Sequence, residues 1–139
     1  MNLDYNKAVA DGLSLFIKSP SHYKYNTCDI HTYLILPIIN NRIRIFYQDD
    51  LPIGLITWCW FTENKTQKFL QYKYDPQQED YEDTNIKDKQ LWGLDFISNT
   101  GKAKQMMSSV RKEHLKLYGK SKVHWRRFSN PTKTHKKEF

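Results

Sequence analysis

Cysteine is scarce in this chain: Cys28 and Cys59 are the only two among 139 residues. They share no metal-ligand spacing, so neither a zinc site nor a disulfide framework organises the fold, and two reduced, partly buried thiols are expected. Long hydrophobic runs are missing as well. No apolar stretch approaches the roughly 18–20 residues that a membrane span requires. The first residues, Met1-Asn2-Leu3-Asp4-Tyr5-Asn6-Lys7, lack the basic region and apolar stretch of a secretory signal. A soluble, cytoplasmic protein without a metal is the expectation. Internal repeats and long low-complexity segments are also absent.

Negative charge runs out toward the end of the chain. Residues 102–139 hold 12 Lys+Arg against 2 Asp+Glu, a balance of +10, whereas residues 1–101 hold 10 against 13, a balance of −3. A basic third joined to a mildly acidic body implies an anionic partner, which charge alone leaves open among nucleic acid, membrane and an acidic protein.

What is present suffices for a core. Hydrophobic residues make up 39% of the chain and charged residues 27%, spread along its length, which suits one globular domain. Residues 4–17 read as a helix that stops before Pro20, because a residue preceding proline is pushed out of helical geometry. Ile30, Tyr33, Leu34 and Ile38 follow three-four spacing, so a second helix is predicted over 29–40, bent or shortened by Pro37. Ile43, Ile45 and Tyr47 alternate with Arg42, Arg44 and Phe46, and Ile53–Phe61 returns after the turn Asp49-Asp50-Leu51-Pro52, which makes a hairpin. Residues 62–73 look helical, and the acidic stretch 75–83 reads as an exposed loop. Gln90–Ser98 is apolar on both alternations, as a central strand should be. Asn99-Thr100-Gly101 is a turn, a helix follows from Lys102 to Leu117, and Gly119 stops it. Lys122–Phe128 is a last strand. The division expected is one domain over 1–128 and a basic, disordered tail over 129–139. The whole is an α+β single domain with the acetyltransferase-like (GNAT-like) plan, a mixed sheet flanked by helices.

Two residues stand out. His22 follows a helix directly, in Ser19-Pro20-Ser21-His22. Asp95 sits in the middle of Leu91-Trp92-Gly93-Leu94-Asp95-Phe96-Ile97, where a carboxylate is costly to bury unless it is paired. A histidine could supply that partner. Alone, a loop histidine is usually a solvated side chain, and a strand-centre aspartate is usually a structural acceptor.

Those segments, together with Ile35-Leu36-Pro37-Ile38-Ile39, the hairpin Ile45 to Ile53 and Thr57-Trp58, resemble in order and spacing the RTX toxin-activating lysine acyltransferases, of the hemolysin-activating protein C type. The likeness runs from about residue 12 to residue 127. It implies an enzyme that moves a fatty acyl group from acyl carrier protein to the ε-amine of internal lysines of a protoxin, with no tightly bound cofactor beyond that thioester donor. It places the family's essential histidine and aspartate on His22 and Asp95, and a contributing serine on Ser19. The chain is shorter than typical members, so the part that would grip a large protoxin is expected to be reduced.

The residue types suit such chemistry. A lysine amine must lose a proton before it attacks, at a cost of about 4–5 kcal/mol at neutral pH. Histidine is the usual base, with Asp95 to orient it; a route in which His22 itself accepts the acyl group remains open. The acidic carrier would account for the basic third. Asn99, Thr100, Gly101 and Lys102, at a helix N-terminus, are the candidates for the phosphate end of the donor. A coenzyme A-dependent acetyltransferase lacks its Gln/Arg-x-x-Gly-x-Gly/Ala loop near residue 99. A nucleic-acid-binding protein would rest on Lys122, Arg126, Arg127, Lys133, Lys136 and Lys137 interleaved with Trp125 and Phe128; nucleic acid is not the partner expected. The sequence leaves a homodimer open.

Overall fold

The first helix begins where Asp4 caps it, accepting from Lys7 N, and α1 then runs over Tyr5–Lys18. The computed structural model describes residues 4–127 and 130–138, with side chains through Arg126. Ser19 leaves α1 with extended backbone (φ −87°, ψ 125°), the geometry that Pro20 imposes on it. Ala8, Leu15 and Phe16 face inward from α1 and pack against Leu34, Ile38, Ile43, Leu55 and Ile97.

The second helical stretch is not uniform. It comprises α2 (Thr27–Ile30), a π-helical turn over His31–Ile35 and α3 (Leu36–Ile39). Pro37 has no N–H for the turn before it. The wide turn, in which Leu36 N reaches His31 O, lets the chain stay helical around that gap.

The strands β1 (Ile43–Gln48) and β2 (Leu51–Phe61) form the expected hairpin. Its two turn residues, Asp49 and Asp50, both lie at positive φ (51° and 65°), as the tight hairpin turn of this length demands. The short helix α4 (Glu63–Leu70) follows, capped by Thr62. The acidic stretch after it is exposed over most of its length, as expected, with one correction. Gln78–Tyr81 forms a 3-10 turn with Asp80 and Tyr81 buried. Asp80 tolerates burial because Lys65, the Tyr74 hydroxyl and Gln77 N all donate to it.

The central strand β3 (Gln90–Ser98) pairs antiparallel with β2 and parallel with β4 (Lys122–Arg127). The helix α5 (Ala103–Tyr118) makes the parallel crossover, and Gly119 (φ 75°) ends it. A second correction falls at the end of the chain. The backbone of Asn130–Glu138, expected as a disordered tail, forms β5 against β4. The result is a five-stranded mixed sheet in sequence order, α1 and α3 on one face and α5 on the other, consistent with the acetyltransferase-like plan.

One buried group on the α5 face yields a stability test. His114 is buried, with Nε2 within hydrogen-bond distance (3.0 Å) of Ser121 Oγ. Burial lowers its pKa below the ordinary 6.5. The unfolded chain therefore binds the extra proton first, and stability should fall as pH drops below 6.5 toward the lower folded value. Urea midpoints measured across that window should decline in the wild type, and His114→Gln should remove the part of the decline that begins near 6.5. An unchanged pH dependence in the variant would show that other groups cause it.

Candidate active site

The turn after α1 carries His22 inward. His22 N and Tyr23 N both bond Ser19 O, and Tyr25 N bonds His22 O, so the turn is wound tightly below the helix end. The His22 ring stacks on Phe16 (centroids 5.2 Å, 30°) and lies against Tyr25 (5.2 Å). Only 3% of His22 is exposed. It is a buried histidine held between aromatic rings, not a solvated one.

Asp95 reaches it through an irregularity of β3. Ile56 pairs with Phe96 and Trp58 with Gly93, so Leu94 and Asp95 together oppose Thr57. This is a β-bulge, and it reverses the alternation of faces. Strict alternation from Trp92 and Leu94 would turn Asp95 toward α5. The extra residue instead leaves Leu94 packed with Leu36 and Phe69, and Asp95 on the same face, beside His22. The N–H that the bulge would orphan, that of Asp95, donates to Thr57 Oγ1 at 3.1 Å.

The outcome is a buried polar chain. Ser19 Oγ lies 2.7 Å from His22 Nδ1, and His22 Nε2 lies 2.7 Å from Asp95 Oδ1. The Tyr25 hydroxyl also donates to Asp95 Oδ1, at 3.1 Å. Burial, and then the neighbouring carboxylate, push the Tyr25 pKa far above the ordinary tyrosine value, so Tyr25 stays a proton donor. Asp95 Oδ2 is buried without a hydrogen-bond partner among the described residues. Such an atom is expensive in a resting protein and calls for a donor that arrives with a ligand.

The sheet is open at this point. β3 and β4 pair only at Leu91 with Val123 and Trp92 with His124; from Gly93 onward β3 is held by β2 alone. Two cavities meet along the divergence, and Gly93, Leu94, Asp95 and Arg126 line both. The larger, about 500 Å³, is bounded by Ser19, His22, Ile56, Phe96, Met107 and Trp125. The smaller, about 250 Å³, lies on the α4 face and is bounded by Tyr25, Asp29, Tyr33, Phe69, Tyr72 and Asp75.

Three of the residues singled out in the sequence, Ser19, His22 and Asp95, thus come together. The other four do not join them. Asn99 N bonds Ile53 O, Gly101 sits at positive φ, Lys102 begins α5 with its ammonium donating to Gln48 Oε1, and none of Asn99, Thr100, Gly101 and Lys102 lines either cavity. Arg126 is not a docking charge on open surface. Its guanidinium lies over the Phe69 and Tyr72 rings (4.1 and 4.6 Å) and donates to Phe69 O. Trp125 is half-buried in the larger cavity, which weakens a stacking platform for nucleic acid. The side chains of Arg127, Phe128, Lys133, Lys136 and Lys137 lie outside the described residues. Among the described residues no cluster of His, Cys, Asp and Glu could hold a metal ion, and no helix is long and apolar enough to cross a membrane. The buried Cys59 thiol is pushed up by desolvation and is inert.

Tyr25 was not singled out by the sequence. It stands three residues after His22 in an unpatterned turn, where nothing in the spacing marks a hydroxyl aimed at Asp95.

A mixed sheet parted between two parallel strands is consistent with an acetyltransferase-like protein, and the serine–histidine–aspartate chain stands at that parting. The model of the RTX toxin acyltransferase family, HlyC, matches residues 1–137, and the chain belongs to that family. It is an acyltransferase of the RTX toxin type. A search of curated proteins found no match.

Proposed function

We propose that the protein moves a fatty acyl group from the thioester of acyl carrier protein to the ε-amine of a lysine in a toxin. The observation that carries this reading is the buried Ser19–His22–Asp95 chain on the wall of a largely apolar cavity. That cavity's volume falls within the roughly 300–1,000 Å³ typical of small-molecule sites and its apolar wall suits an acyl chain.

With His22 neutral, Nε2–H donates to Asp95 and Nδ1 accepts from the Ser19 hydroxyl. Nδ1 is then the basic nitrogen, and Ser19 Oγ is the atom through which it is reached. The hydroxyl passes its proton to Nδ1 as it takes one from the lysine ammonium. The freed amine attacks the thioester carbonyl carbon, the C–N bond forms, and collapse of the tetrahedral adduct breaks the C–S bond. The thiolate leaves with the second nitrogen proton, and His22 returns its own to solvent. Asp95 holds the ring and offsets the positive charge that His22 carries in between. The exposed Lys104, Arg111, Lys112 and Lys116 on α5 offer an acidic carrier a docking face.

Incubation with fatty acyl carrier protein and a lysine-bearing toxin fragment, followed by tandem mass spectrometry, tests the reading. Acyl groups should appear on lysine as hydroxylamine-resistant amides, and KM for the carrier should rise with salt. Transfer from acyl-coenzyme A but not from the carrier would replace this reading with the coenzyme A alternative.

A further inference from the structure

We propose that the smaller cavity receives the acceptor lysine, so that the two substrates enter from opposite faces of the sheet and meet at Gly93. This rests on the acyl-transfer reading above and adds which wall recognises the amine.

The smaller cavity is built from aromatic rings and carboxylates, the chemistry that holds an alkylammonium. Its polar atoms form a line from the surface to the centre. Exposed Asp75 accepts from the Tyr33 hydroxyl at 3.1 Å; the Tyr33 ring lies 5.7 Å from that of Tyr25; the Tyr25 hydroxyl reaches Asp95. Asp29 lies on the same wall. Asp95 itself lines this cavity, and its Oδ2 is buried and unpartnered among the described residues. A lysine ammonium on its way in supplies the donor that this oxygen lacks, before the amine passes Gly93 to reach Ser19 Oγ on the wall of the larger cavity. Among the described residues Arg126 is the one cation on the wall, against Asp29, Asp75 and Asp95, and its stacking on Phe69 and Tyr72 keeps it to one side.

Size separates the two substrates. About 250 Å³ admits one slender side chain, whereas a pantetheine arm with a fatty chain needs the larger, apolar cavity. The residue between them is a glycine without a folding reason to be one: a Cβ on Gly93 would meet nothing closer than 3.8 Å. Its missing side chain leaves the passage clear.

Two readouts test the cavity apart from the reaction. The first is binding of a lysine-containing toxin peptide to the full chain without donor, followed by intrinsic fluorescence, with the norleucine peptide as control. The second is KM for peptide and for acyl carrier protein in the transfer assay. Asp29→Asn with Asp75→Asn should weaken peptide binding and raise peptide KM about tenfold, while kcat and carrier KM stay within about twofold. Tyr33→Phe, which touches no helix cap, should shift peptide KM in the same direction. Unchanged peptide binding and KM in both variants would overturn the proposal, as would a rise confined to carrier KM. Lysine-selective binding that the variants lose, in a protein that acylates no lysine, would sustain the cavity and sink the reaction.

Discussion

His22→Ala should lose transfer by about 10²–10⁴-fold, the range that a positioned acid–base group contributes. Among the described residues the geometry leaves no neighbour to replace it. Tyr25 is held protonated, and His114 and His124 belong to other parts of the fold. The buried setting also changes what the variant costs. Truncation empties space beside Phe16 and leaves Ser19 Oγ without its nitrogen and Asp95 Oδ1 with Tyr25 alone. A loss of about 1–3 kcal/mol is expected from these unmade bonds, so a melting curve must accompany the assay. His22→Gln separates the two effects. Its amide can still donate to Asp95, yet it cannot take a proton at this pH. It should keep most of the stability and be as inactive as His22→Ala. Full turnover in a folded His22→Gln protein would remove histidine from the mechanism.

Much of the frame was legible because it depends on local signals. Pro20 ends α1, Asp49-Asp50 turns the hairpin, and Gly119 stops α5, each for a backbone reason that a sequence displays. What escaped depends on distant partners. The stretch 75–83 reads as solvated and mostly is, but the burial of acidic Asp80 escaped, because it depends on Lys65, brought in by α4, with Tyr74 and Gln77 N donating beside it. The strand at 130–138 is polar and basic, and nothing in its own residues declares the edge of β4 it joins. At the site, the pairing of His22 with Asp95 came through resemblance across 73 positions; the device that achieves it, the bulge at Leu94-Asp95, leaves no periodic trace. Alternation alone would have turned Asp95 toward the opposite face.

Asp95→Asn should fold, bind the carrier and transfer at a rate lower by about 10³–10⁴-fold. Stability and rate separate here for a physical reason. Asparagine keeps an oxygen that can accept from His22 Nε2 and the Tyr25 hydroxyl, the two side-chain bonds that Asp95 Oδ1 now takes. The backbone bond to Thr57 Oγ1, which fixes the bulge, involves Asp95 N and is untouched. The second atom becomes an NH2 without an acceptor, at a cost of about 1–3 kcal/mol, but the same change removes a buried anion whose Oδ2 had no partner. These oppose each other, so the melting temperature should move little. The rate has no such compensation. The imidazolium that forms as lysine gives up its proton would face a neutral amide in a water-poor site, and the ammonium would lose the Asp95 charge in its cavity. Loss of charge at both places should lower kcat and raise peptide KM together, with carrier KM unchanged. A merely structural Asp95 predicts the reverse: a lower melting temperature with near-normal turnover below it. That result would leave His22 without an electrostatic partner and the proposed proton path without its anchor.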